Sequence, residues 1–382
     1  MKKKYNKIVT FFLVFFVAIS FTGCLNLSGQ NKEVVEDIID EKNYNQGVFK
    51  SIDGGKTWEH KVNLADTEGG LIDKVKISSM EMDPDNNQVL YIGTQANGLY
   101  KSIDGADSWK KIIDENKILS IQSTVYKIAI EKGNSEILYL ATLNSGSGEL
   151  LKSEDGGVNW YRKHIMSKPG EYVSTITIDP IQKNIVYLGT SQGGFLKSED
   201  RGESWLSVNW FSSSVEDILV DYQNNKGLII RTKTEMQKTI DSGKSWELLN
   251  KKMNTSSGIK LNLGLVSSIK MSNISPLMIY LTYNHLILIT RDGGDNWEKL
   301  NTITPQLTVI KQAPQVKRLG MNKDTLYYGA GNAIYKSLNR GETWSSYAIP
   351  IIGDVRYTLS DHTDSGIIYV GSFYDPPPKK KR

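Results

Sequence analysis

Apolar and polar residues alternate with a period of two in short runs, each closed by Gly, Asn or Pro. Lys76 to Pro84 reads KISSMEMDP, and Ser174 to Pro180 reads STITIDP. Between these lie runs rich in β-branched and aromatic residues, such as VLYIGTQANGLYKS from Val89, VYLGTSQGGFLKS from Val186 and LYYGAGNAIYKS from Leu326. Alternation with this punctuation predicts short strands joined by tight turns.

One phrase follows each group of runs. It stands as KSIDGGKTW at Lys50, KSIDGADSW at Lys101, KSEDGGVNW at Lys152, KSEDRGESW at Lys197, KTIDSGKSW at Lys238, ITRDGGDNW at Ile289 and KSLNRGETW at Lys336. Its acid positions are Asp53, Asp104, Asp155, Asp200, Asp241, Asp292 and, as a departure, Asn339. Its tryptophans are Trp58, Trp109, Trp160, Trp205, Trp246, Trp297 and Trp344, and Trp210 alone lies outside the set. Successive acid positions are 51, 51, 45, 41, 51 and 47 residues apart. An Asp can accept backbone N–H bonds across a tight turn, with Ser or Thr reinforcing it. Gly supplies positive φ, and Trp buries a large surface between sheets. Asn339 keeps an acceptor, so its turn is expected to form.

The phrase resembles the BNR or Asp-box repeat, S-x-D-x-G-x-T-W. With about 40–50 residues per unit, enough for four short strands, it implies an all-β, seven-bladed propeller of four-stranded antiparallel blades over residues 47–372. The N-terminal GVFKS (Gly47 to Ser51) is expected to share one blade with the last segment, Val355 to Ser372, closing the ring and removing exposed sheet edges.

Residues 1–23 read as an export signal: Lys2, Lys3, Lys4 and Lys7 precede an apolar run from Ile8 to Phe21. Fourteen residues are too few for a bilayer-spanning helix, which needs about 20. Phe21-Thr22-Gly23-Cys24 resembles a bacterial lipobox. The resemblance implies cleavage before Cys24, lipid on its sulfur and tethering to the bacterial cell envelope through residues 24–46. Cys24 is the only cysteine, so no disulfide or thiolate metal site is expected. Without the four signal lysines the formal charge falls from +4 to zero, and Lys379 to Arg382 at the end of the basic tail (373–382) carry another +4. The folded part is therefore mildly acidic, which argues against nucleic-acid binding. A monomer is expected.

The box acids read as scaffold. Each box has one acid in common, whereas a calcium loop draws several oxygens from alternating positions. His164, His285 and His362 are scattered singles, so neither a metal centre nor a cofactor is expected. The chemistry-bearing candidates lie on the opposite, loop-bearing face. Aligning the innermost strands on their terminal acid or Asn sets Ser78, Tyr126, Ser174, Glu216, Ser268 and Arg356 at one level, with Lys127, Asp217 and Tyr357 beside it. These residues form a polar channel rim, either a ligand site or merely solvated. Trp210 and Phe211 form a second candidate, as exposed aromatics able to stack on a sugar or anchor a protein, or as a cap on their blade.

Several families share the boxes, among them sortilin-type ectodomains, which use more blades and disulfides. Sialidases add an arginine triad and a Tyr nucleophile, and this chain keeps few arginines outside its boxes and tail. Xyloglucan-specific endoglucanases share the repeat wording but pair two propellers across a cleft lined by carboxylates; Glu171 and Glu216 are the pair a single propeller could offer. The photosystem II stability and assembly factor family resembles the chain over roughly residues 45–372, as a single lipid-anchored propeller without an enzymatic site. This last resemblance implies a tethered platform that binds a protein or glycan on its loop face. Glycoside hydrolysis is the alternative.

Overall fold

The computed structural model describes residues 46–373, apart from 167–169, 225, 251–257, 259, 273, 284–285, 301–318, 323 and 352–353. The expected leader, Cys24, the expected tether up to residue 45, the basic tail from residue 374 and His285 lie outside the described residues.

The described strands group into seven four-stranded antiparallel sheets. The innermost strands are Ile77–Met82, Thr124–Ile130, Val173–Ile178, Val215–Val220, Val266–Met271, Leu319–Asn322 and Asp354–Ser360. Each touches the next in this order, and the last touches the first. This closed circuit makes the fold a seven-bladed propeller. We number the blades by their Asp boxes, so that blade 1 carries Asp53.

Blade 1 is assembled from both ends of the described chain. Gly47–Ser51 pairs with Ile368–Phe373, with Phe49 opposite Val370 and Ser51 opposite Ile368. Asp354–Ser360 lies inside this pair and Glu59–His60 outside it. Val48, Val355, Ile368 and Val370 are all fully buried.

The core lies between blades. Tyr91 and Leu99 of blade 2 pack with Ile128, Leu138, Leu140, Leu151 and Trp160 of blade 3. Trp109, Trp160 and Trp297 are almost wholly buried, while the other four box tryptophans are half-buried.

The box geometry repeats closely. Ser51 Oγ donates to Asp53 Oδ1 (2.8 Å) and accepts from Gly55 N (2.8 Å), while Thr57 N and Oγ1 donate to the Asp53 carboxylate at 2.9 and 2.6 Å. At the departure, Asn339 Oδ1 accepts from Thr343 N at 2.9 Å, and its amide nitrogen donates to Thr343 Oγ1 at 3.0 Å. The amide thus preserves the turn by reversing one side-chain bond. Two consecutive residues in each box have positive φ. Non-glycine residues stand at four of these places, Ala106, Arg201, Ser242 and Arg340. Ser242 stands at φ 63° and its backbone N–H donates to Lys226 O, a bond that a glycine keeps. Ser242→Gly is therefore expected to stabilise the fold by roughly 0.5–1 kcal/mol, read as a higher urea midpoint, because left-handed backbone is strained for L-residues.

Carboxylates so richly hydrogen-bonded resist protonation. Donors from Ser204 and Ser198 hold the Asp200 carboxyl down at about 2. Burial alone would raise Asp292, but donors from Asn296 and Thr290 outweigh it and leave this group at about 2 as well. Asp53 and Asp241 are shifted in the same direction, chiefly by Thr57 and Ser245. A folded-state value below the unfolded one stabilises above the unfolded value near 4, and this contribution is lost as pH falls toward 2. The urea midpoint should therefore drop between about pH 4 and 2. Asp200→Asn, which mimics Asn339, should fold and show a smaller drop.

A second repeated device joins neighbours. The Tyr of the second strand lies opposite the box Lys in five blades: Tyr91 with Lys101, Tyr139 with Lys152, Tyr187 with Lys197, Tyr327 with Lys336 and Tyr369 with Lys50. In blade 2, Tyr91 OH (3.1 Å) and Lys101 Nζ (2.9 Å) both donate to Gly156 O in the box of blade 3. In blade 1, Tyr369 OH (3.3 Å) and Lys50 Nζ (2.8 Å) both donate to Gly105 O of blade 2. In these two blades the pair clasps the next box along the chain.

Candidate functional site

In an up-and-down blade, the Asp boxes and the turns between first and second strands share one end. The other connections open at the opposite end, called here the loop face. The innermost strand of blades 1 to 6 carries a register shift near its loop-face end: between Val355 and Tyr357, Ile77 and Ser79, Val125 and Lys127, Val173 and Thr175, Val215 and Asp217, and Val266 and Ser268. The skipped residues are Arg356, Ser78, Tyr126, Ser174, Glu216 and Ser267. A bulge bends its strand and re-aims the extra side chain, so these six form a ring at the channel mouth.

Five of the ring residues are those that the sequence alignment set at one level. In blade 6 the bulge residue is Ser267, and Ser268 is buried one step along. The offset arises at the strand end. Asp83, Asp179, Asp221 and Asp361 close their turns by accepting backbone N–H bonds. In blade 6 Ser272 takes that place, with Ile274 N donating to its Oγ at 3.1 Å, so counting back from Asn273 overshoots by one. The apolar residue before the bulge was the better anchor: Ile77, Val125, Val173, Val215, Val266 and Val355 all precede it.

The ring residues divide by what they touch. Ser78 Oγ donates to Val125 O at 2.7 Å, and Ser174 Oγ donates to Val215 O at 2.5 Å. Both serines therefore tie one blade to the next. Tyr126 stacks on Tyr172 with ring centroids 5.0 Å apart, and burial pushes its phenol above the usual range. Lys233 Nζ lies 3.7 Å from Glu216 Oε1. Arg356 keeps a buried Nε without a hydrogen-bond partner among the described residues. Tyr357 OH donates to Ser78 O across the closing blade boundary. Below the mouth, Lys127, Lys270, Glu81 and Tyr357 line a channel of about 540 Å³, counted to its open end. Tyr172 and Lys233 lie on loops outside the strand pattern, and strand alignment alone could not find them.

The aromatic pair separates. Trp210 is 60% exposed, whereas Phe211 is 4% exposed and meets Trp246 edge-on at 5.5 Å. Phe211 is thus part of the packing between blades 4 and 5, not an exposed aromatic. Asp217 bonds Arg231 at 2.6 Å, which takes it out of the free rim. Glu171 is buried, and burial lowers the His164 imidazole against the opposing pull of Glu171. Among the described residues, no three His, Cys, Asp or Glu side chains gather as a metal site.

Seven sheets around an axis, each with an Asp-box turn on one end and a loop-bearing rim on the other, define an Asp-box propeller. Residues 207–375 match the family described as photosynthesis system II assembly factor YCF48. Sequence relatives lie among xyloglucanases: Xgh74A of Acetivibrio thermocellus is 28% identical over 131 residues, covering 30% of this chain and 15% of that protein. The chain thus spans only a small part of the curated relatives it matches. Two solved structures share the fold. The GH74 xyloglucanase from Xanthomonas campestris superposes with a TM-score of 0.63 at 15% identity, covering 78% of this chain and 51% of that one. YCF48 bound to D1 peptide superposes with a TM-score of 0.59 at 13% identity, covering 82% of this chain and 100% of that one. The propeller is related to both groups.

Proposed function

We propose that the protein is an exported, lipid-anchored platform that holds a segment of a protein partner at the channel mouth on its loop face. The observation that carries this reading is the bulge ring itself. It offers an aromatic pair (Tyr126 and Tyr172), a surface acid–base pair (Glu216 and Lys233) and an arginine with an unused donor (Arg356) around one opening. Mixed aromatic and charged anchors suit peptide recognition, where a few residues dominate affinity. A structural neighbour binds a peptide, and this chain covers that neighbour's whole length.

The hydrolase reading draws on the xyloglucanase matches and would use Glu171 and Glu216. Against it, Glu216 has a cation close by and Glu171 is 7% exposed, which leaves neither as a free carboxylate in an open groove.

The test is site-specific cross-linking. A photoreactive residue at Tyr126 should capture one discrete protein in cells, and the same group at Ile103 among the box turns should not. Adding Arg356→Glu should reduce the Tyr126 product by about tenfold, the effect expected when a central charged anchor is reversed. Release of reducing ends from xyloglucan by the purified protein, abolished by Glu216→Gln, would overturn the platform reading in favour of the alternative.

A further inference from the structure

The boundary between blades 5 and 6 breaks the Tyr–Lys device. In blade 5 the residue opposite the box Lys238 is Ile229, where the six other blades have Tyr. Lys238 still donates to Gly293 O in the next box at 2.9 Å. A shallow recess lies there, about 320 Å³ when counted out into open solvent, lined by Asp221, Ile229, Lys238, Met271, Leu277 and Gly293 at the Asp-box end. Leu277 at its rim is 49% exposed.

Sister blades show what fills the corresponding place. Lys101 Nζ sits 5.2 Å from the Tyr91 ring centroid, Lys336 5.4 Å from that of Tyr327 and Lys50 5.6 Å from that of Tyr369. The phenol hydroxyls of Tyr91 and Tyr369 reach the carbonyl equivalent to Gly293 O. Blade 5 keeps the ammonium, the carbonyl and the apolar wall, and lacks only the ring. An ammonium beside an aromatic face is attractive, and a carbonyl acceptor selects a hydroxyl over a plain arene.

We propose that this recess binds a para-substituted phenol: its ring against Ile229, Met271 and Leu277, its face beside Lys238, and its hydroxyl donating to Gly293 O. The site lies at the opposite end from the channel mouth and stands or falls independently of the platform reading.

The experiment titrates p-cresol, toluene and N-acetyl-tyrosinamide into the purified protein carrying labelled Ile, Leu and Met methyls. p-Cresol should shift the methyls of Ile229, Met271 and Leu277, with toluene binding several-fold more weakly for want of a hydroxyl. A response to N-acetyl-tyrosinamide as well would identify the natural source as a tyrosine side chain, and a response to p-cresol alone would identify a free phenol. Ile229→Tyr should fill the recess, raise the melting temperature and abolish the p-cresol shifts. Lys238→Met, which keeps the recess open, should weaken p-cresol roughly three- to tenfold. No response to p-cresol, equal binding of toluene, or an undiminished response in folded Ile229→Tyr would each overturn the proposal.

Discussion

Trp160→Ala is expected to cost about 3–5 kcal/mol, the usual range for deleting a fully buried tryptophan. Trp160 is 0% exposed and fills the boundary between blades 2 and 3 beside Tyr91, Leu138 and Leu151. Its indole N–H donates to Gly157 O in its own box at 3.1 Å, so truncation removes a turn constraint along with the packing. Domains are stable by only about 5–15 kcal/mol, which makes this loss a large fraction of the total. Guanidinium unfolding should show a much lower midpoint with a similar slope. Trp344→Ala is the comparison. Its ring is half-buried and makes the same kind of bond, to Gly341 O at 3.0 Å, and its deletion should cost less. Equal costs at the two sites would mean that burial does not rank the boxes.

The second large effect concerns closure. Ending the chain after residue 353 removes Asp354–Ser360 and Ile368–Phe373, the two inner strands of blade 1. Val355, Ile368, Val370 and Tyr369 go with them, each buried to within 1%. At about 1.5–3 kcal/mol per fully buried apolar side chain, these four alone approach the stability of a domain. Gly47–Ser51 would lose its inner partner, and the flanks of blades 2 and 7 would face water. The truncated protein should show no cooperative unfolding transition and should elute as aggregate in size-exclusion chromatography. A monodisperse, cooperatively unfolding product would show that the ring does not depend on this shared blade.

Much of this architecture was legible in the sequence because its signal is redundant. Seven boxes fix seven units, and a missing first half at one end matched by a missing second half at the other fixes closure. Asn339 was readable as a turn because the chemistry needs an acceptor, which an amide supplies. The site was harder. Register at the channel mouth was counted back from the closing turn residue, and in blade 6 that residue is Ser272 rather than Asn273, so Ser267 was displaced by one. Phe211 and Trp210 are adjacent in sequence, yet neighbouring positions of a strand end face opposite ways, and only packing shows which one is covered. The recess beside Ile229 is a contrast between blades, visible only once each Tyr is paired with its Lys across the sheet.

The Tyr and Lys side chains that hold the next box run the same way round the axis, from blade 1 to 2 and from blade 2 to 3. Contacts that run head to tail in this way give the array a direction without requiring a first member. Because Gly47 lies opposite Ser372, the two ends of the described propeller meet inside one sheet rather than between two. Re-cutting the gene between two other blades, with a short linker across the old ends, would leave every clasp intact.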